Sequence, residues 1–249
     1  MTSFGVERLR GRVAFVTGAS SGIGRAVCER LLAAGLRVAA CARRVERVRQ
    51  IAASDDLLPL AADLRQEADI LAAFAAVRAR WGGTDIVINN AGLGHHAPLS
   101  SGDTDHWREM LDVNVLAACV CTREALADMR RSGIDGHVLF VSSMAAHRVP
   151  ADSAVYSATK FAIRALTEAL RQELRAAKSP VRVSAVSPGY VQTEFAAKYH
   201  KSEAAAEATY GAYPVLQPDD VAAAVEYALG QPPHVQIHDV LMRPTDQTS

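Results

Sequence analysis

Apolar and polar positions along this chain alternate between two rhythms. Near-continuous apolar runs occur at Arg12–Thr17, Leu36–Ala42, Leu57–Ala62, Asp85–Asn89, His137–Ser142 and Val181–Ser187, with a last one near Val235–Leu241. Runs of this length suit strands buried on both faces. Between them apolar residues recur at every third or fourth position, as Val27, Leu31 and Leu32 do after the first run, which is helical spacing. Such segments begin near Gly22, Val45, Gln66, Asp105, Ser153 and Pro218. The alternation predicts an α/β fold, a doubly wound parallel sheet with helices on both faces. The 249 residues are ample for one large core, and no linker or composition shift divides them, so one domain over 1–249 is expected. Ligands of such sheets bind at the carboxyl ends of the strands.

Chemistry clusters at those ends. After the first run comes Thr17-Gly18-Ala19-Ser20-Ser21-Gly22-Ile23-Gly24, which opens the first helix. Glycines let the chain turn tightly and approach a pyrophosphate, while a helix N-terminus supplies free N–H donors and positive potential. The spacing G-x-x-x-G-x-G is a variant of the dinucleotide fingerprint; an ordinary glycine turn is the alternative. Sites that prefer NAD place an acid after the second strand, about 20 residues beyond the glycines. Here Ala42-Arg43-Arg44 stands instead, with two guanidiniums able to hold a 2′-phosphate and no carboxylate to repel it. NADP(H) is therefore expected over NAD(H), with Arg43 the firmer contact. The alternative is that both arginines solvate the next helix.

Tyr156 and Lys160 stand at i and i+4 on one helix face, with Ser143 thirteen residues upstream of the tyrosine. A free tyrosine ionises near pH ~10, and a cation one turn away favours the phenolate. Such a phenol can give a proton to a carbonyl oxygen or take one from an alcohol. Alone, the pair is more often a solvated helix face; behind a glycine loop and a Ser142-Ser143 strand end it indicates a redox site. Asn89-Asn90-Ala91-Gly92 ends the fourth run. Asn90, Ala91 and Gly92 are expected to line a cofactor and Asn89 to support the fold.

Composition narrows the classes. Lys plus Arg and Asp plus Glu are 27 each, which speaks against nucleic acid as a partner. No apolar run is long enough to span a bilayer, so no membrane partner is expected, and Met1–Arg10 lacks the apolar core of a signal peptide. Cys28, Cys41, Cys119 and Cys121 have neither disulfide nor zinc spacing and are expected to be reduced thiols of a cytoplasmic protein. Eight histidines include no H-E-x-x-H, so no metal is expected, and His95, His96 and His147 are placed at the rim of a site.

The set TGASSGIG (17–24), NNAG (89–92), Asn114, Ser143, Tyr156, Lys160 and PGYVQT (188–193) resembles the single-domain branch of the short-chain dehydrogenases/reductases over nearly the whole chain. The segments 114–126, 166–175 and 234–247 are similar to a subgroup of NADPH-dependent carbonyl reductases. The resemblance implies a Rossmann fold and interconversion of a small carbonyl compound and its alcohol by hydride transfer. It assigns Tyr156 as general acid/base, and Ser143 to the substrate carbonyl and developing oxyanion. Lys160 would hold the nicotinamide ribose, and Asn114 would disturb its helix, by side chain or backbone, and hold a proton-relaying water. Ser142 would cap the loop after the strand.

Cofactor contacts implied by the family are Gly18, Ser20, Ser21, Gly22, Ile23, Gly24, Asp63 and Leu64 beside the adenine, Tyr156 and Lys160, Pro188 and Gly189 under the nicotinamide, Val191 and Thr193. Glu194–Tyr213 would form a lid, with Leu93–Leu99 and Met144–Ala151, over an apolar or cyclic substrate. Helices Asp105–Arg131 and Ser153–Lys178, with surplus apolar residues Val113, Val115, Leu116, Phe161, Ile163 and Leu166, would form a homodimer or homotetramer interface. A catalytically silent NADP(H) sensor on the same fold is the alternative. A larger epimerase-type enzyme would need more chain after Gly189.

Overall fold

The computed structural model describes residues 5–151 and 153–248; residues 1–4 of the polar N-terminal segment lie outside them. The chain alternates β1 (Val13–Thr17), α1 (Gly22–Ala33), β2 (Arg37–Ala42), α2 (Val45–Arg49), β3 (Leu57–Ala61), α3 (Glu67–Trp81) and β4 (Ile86–Asn89). It continues through α4 (Thr104–Leu111), α5 (Ala117–Ser132), β5 (His137–Val141), α6 (Ala154–Ala176), β6 (Arg182–Pro188), α7 (Phe195–His200), α8 (Glu203–Gly211), α9 (Pro218–Gly230) and β7 (Asp239–Met242). The strands form one parallel sheet in the order β3-β2-β1-β4-β5-β6-β7. This is the doubly wound α/β fold expected from the apolar runs.

Strand alternation divides the core between two faces. Ala14 and Val16 of β1 pack with Val27 and Leu31 of α1 and Val221 and Val225 of α9. Val13 and Phe15 face the other way, into Ile70 and Phe74 of α3, Met129 of α5 and Ile163 of α6. Phe15 and Phe74 stack with ring centroids 4.2 Å apart. Ile163 is thus core, not surplus for an interface.

Two expected elements differ. The last strand starts at Asp239 rather than Val235, because side chains engage the backbone before it. Arg182 donates to the carbonyls of Gln231 and Val235, Ser184 Oγ to that of Ile237, and Gln236 Oε1 takes the Val183 N–H. Those groups cannot also join a ladder. The long helix expected over Asp105–Arg131 is interrupted at Asp112–Leu116 by a π-turn, where the N–H of Ala117 reaches the carbonyl of Asp112. The inserted residue is accommodated around Asn114, whose side chain is drawn inward.

The strand order reverses between β1 and β4, and the loops after these two strands interlock. Buried Thr17 accepts the N–H groups of Asn90 and Ala91 on Oγ1, at 3.0 and 2.9 Å. Asn90 Nδ2 donates to the Thr17 carbonyl at 2.8 Å. Gly18 has φ +69°, and a Cβ there would lie 2.9 Å from Ala91 Cα. A Cβ on Gly24 would lie 2.4 Å from the Gly18 carbonyl oxygen. Only glycine satisfies both positions. The crevice of the sheet opens above them.

Candidate active site

A cavity of about 380 Å³ occupies that crevice. Gly18, Ser21, Gly22, Ile23 and Gly24 line one side, and Asn90, Ala91 and Gly92 the next. Ser143, Tyr156 and Lys160 also line the cavity, as do Pro188, Gly189, Val191 and Thr193. Each group arrives from a different strand end, so residues over 170 positions apart in sequence meet because the strands are parallel. Ser20, Arg43, Arg44, Asp63, Leu64 and Asn114 are not among the lining residues.

Ser143 is the N-cap of a short 3₁₀ turn, Met144–Ala146, and its Oγ accepts the Ala145 N–H at 3.0 Å. The loop-capping role expected of Ser142 therefore belongs to Ser143. Ser142 also borders this cavity, and its buried Oγ has no partner among the described residues. Ser142 lines a second cavity, where His147 Nε2 meets Asp239 Oδ2 at 2.9 Å.

Tyr156 sits in the first turn of α6, which begins at Ala154, and its phenol shares a hydrogen bond with Ser143. The rings of Phe195 and Tyr199 pack on it at centroid distances of 5.3 and 6.4 Å. Burial under these rings pushes the phenol up to about 12, against the lowering effect of the Ser143 bond. Sequence reasoning expected the lysine to bring the phenol down. Burial prevails instead, because removing water from a phenolate costs more than a cation beyond hydrogen-bond reach returns. Lys160 Nζ lies 5.9 Å from the Tyr156 ring centroid and donates to the Val141 carbonyl at 3.0 Å. Its own burial brings the ammonium down to about 8.

Asn114 is buried behind the lysine. A Cβ on Gly92 would lie 3.5 Å from Lys160 Nζ and 3.6 Å from Asn114 Oδ1, so the three are neighbours. Asn114 Oδ1 accepts the Leu93 N–H, and Nδ2 donates to the Leu93 carbonyl and to Thr159 Oγ1. Both amide protons are used and Oδ1 takes one N–H, so this side chain fastens the π-turn to the loop after β4. Thr159 as its partner was not legible beforehand. Asn89 donates to buried Thr122 Oγ1 at 3.0 Å, a supporting contact.

The arginines divide. Arg44 Nη2 donates to Ser21 Oγ at 3.0 Å and to Glu194 Oε2 at 2.8 Å. Arg43 is 60% exposed, with Glu109 as its nearest acid at 4.0 Å. Asp63 is held below the usual carboxylate range by hydrogen bonds from Arg65. None of the three rim histidines lines the cavity. His95 Nε2 pairs with Glu109 at 2.8 Å, His96 lies edge-on to Tyr199, and His147 faces the second cavity.

The groups fit a nicotinamide dinucleotide. The first turn of α1 has no side-chain cap bond and no acid, leaving its N–H donors to an anion. An ammonium has three donors, and Lys160 spends one, on Val141.

Fold and cradle together are those of a dinucleotide-binding-type α/β protein. The sequence model of the short chain dehydrogenase family matches residues 12–204, and the chain belongs to that family. It is 51% identical to dehydrogenase/reductase SDR family member 11 of Bos taurus, covering 98% of this chain and all (100%) of that one. It is 38% identical to farnesol dehydrogenase of Aedes aegypti, covering 97% and 99%. The closed form of serine dehydrogenase complexed with NADP⁺ superposes with a TM-score of 0.90 at 33% identity, over 95% of this chain and 96% of that one. Solved chains similar to this one hold NADP⁺ in some cases and NADH in others.

Proposed function

We propose that the protein reduces an aldehyde or ketone to its alcohol with NADPH. The observation that carries this reading is the meeting of Ser143, Tyr156 and Lys160 in the lining of one cavity with the glycine loop. NADPH, when bound, supplies the hydride for the carbonyl carbon. Ser143 donates a hydrogen bond to the carbonyl oxygen and stabilises the charge that develops there. Tyr156 delivers the proton to the same oxygen. A phenol held near 12 is fully protonated at neutral pH, the form from which it donates. Lys160 offers its remaining N–H donors to the ribose hydroxyls. Arg43 and Arg44 select the 2′-phosphate, and Asp63 and Leu64 border the adenine.

The substrate is apolar or cyclic. Leu93, Met144, Phe195 and Tyr199 line the cavity, with Arg148 the cation from the segment after β5. A relative named for farnesol, an apolar alcohol, supports this. Glu194–Tyr213, folded as α7 and α8, is the lid. Tyr210 pins it, donating to the Thr193 carbonyl and accepting the Ala196 N–H.

The pH dependence tests the reading. For reduction, kcat/KM should be flat from pH ~6 to ~7, reach half its plateau near pH ~8 and fall about tenfold per pH unit above that, as Lys160, at about 8, loses its proton. The sign follows from the cation being the competent form. In Lys160→Arg the break should disappear, since arginine stays charged. A wild-type profile flat to pH ~10 on a panel of apolar ketones and aldehydes would remove this ammonium from the reaction.

The protein works in the cytoplasm as a homodimer or homotetramer. No helix among the described residues is long and apolar enough to cross a membrane. Leu111 and Leu116 beside the π-turn are 49% and 58% exposed, and Phe161 of α6 is 39% exposed. These three support pairing through α4, α5 and α6. Light scattering should give at least twice the 26.6 kDa chain mass; a concentration-independent monomer would overturn this assembly.

A further inference from the structure

Glu194, the first residue of the lid segment, lies on the arginines after β2. Its Oε2 accepts from Arg44 Nη2 at 2.8 Å and its Oε1 from Arg47 Nη1 at 2.6 Å. The same Arg44 nitrogen donates to Ser21 Oγ at 3.0 Å and reaches Ser20 Oγ at 3.4 Å. A carboxylate, a guanidinium and two glycine-loop hydroxyls therefore converge beside the start of α1. Lys198, one turn into α7, also pairs with Glu194. Arginine forks and hydroxyl donors around an anion make a phosphate-type site, and here the anion comes from the protein itself.

We propose that Glu194 is an internal competitor for the 2′-phosphate of NADP(H), and so sets cofactor selectivity from the lid side. This rests on the NADP(H) reading above. A 2′-phosphate that reaches Arg44 must displace the carboxylate or stand a few ångströms from a like charge. Either cost falls on NADPH and not on NADH, which lacks the group. The surrounding cations hold the Glu194 carboxyl down at about 2, so the competitor is fully charged at any working pH. Because Glu194 precedes α7, whose Phe195 packs on Tyr156, the same contact ties the phosphate end of the cofactor site to the cover of the phenol.

The test is Glu194→Gln in the full chain, which keeps the shape and removes the charge. Titration of nicotinamide fluorescence gives Kd for NADPH and NADH. The variant should bind NADPH about tenfold more tightly and NADH within about twofold of wild type, a difference that shrinks at high salt. In an Arg44→Ala background the same substitution should yield a smaller gain, since the competition runs through that guanidinium. Weaker NADPH binding in Glu194→Gln would make Glu194 a support for Arg44 and overturn the proposal, as would equal shifts for both cofactors or an undiminished gain without Arg44. Equal wild-type affinities for the two cofactors would sink the NADP(H) reading alone. The competitor role would then be decided by whether Glu194→Gln opens a gap between them.

Discussion

Tyr156→Phe is expected to lower the turnover of NADPH-dependent carbonyl reduction by about 10³-fold, within the range general acids supply. NADPH affinity should stay within about twofold, because the lost hydroxyl acts chiefly on the substrate oxygen and Lys160 keeps its donors for the ribose. The phenylalanine ring keeps the contacts with Phe195 and Tyr199 at 5.3 and 6.4 Å, so the wall of the cavity is preserved. Only the hydroxyl bonded to Ser143 is removed. Single-turnover kinetics at saturating NADPH, beside a thermal melt, separates chemistry from folding. Nearly normal turnover in a folded variant would end the assignment of Tyr156 as the proton donor.

The sheet was legible because strands buried on both faces need long apolar runs, and parallel strands must be separated by crossover helices. Six of the expected strands fall within a residue or so of their observed limits. The seventh began late, since the carbonyls of Val235 and Ile237 are taken by Arg182 and Ser184 and the Val183 N–H by the Gln236 side chain, contacts that no periodicity reveals. The π-turn was likewise hidden. Asn114 marked the place, but its cause is a tertiary pull from Leu93 and Thr159.

Spacing along one helix placed Tyr156 beside Lys160, yet said nothing of the rings that α7 lays over the phenol. The sign of the pKa shift was therefore missed: a helix-neighbour argument carries the cation and omits burial. Ser142 and Ser143 both border the cofactor cavity, and only Ser142 also borders the second one, a difference that adjacent identical residues do not show in sequence. Glu194 gave no sequence signal, because it lies 150 positions from Arg44 and belongs to no motif.

Replacing Arg43 and Arg44 together by alanine should weaken NADPH binding by about 10²-fold and leave NADH within about threefold. Charged hydrogen bonds to a phosphate are worth roughly 1.5–3 kcal/mol each, and only NADPH carries the group that receives them. The single variants should not share this loss evenly. Arg44 already spends one nitrogen on Glu194 and Ser21, so part of what the phosphate gains there is lost in breaking the carboxylate contact. Arg43 is more exposed, with its nearest acid 4.0 Å away, and gives up less to meet the phosphate. Arg43→Ala should therefore cost more NADPH affinity than Arg44→Ala in wild type. The order should narrow or invert once Glu194→Gln relieves Arg44 of its competitor. Equal losses for NADPH and NADH in the double variant would show that the arginines support the fold at the end of β2 and do not read the phosphate.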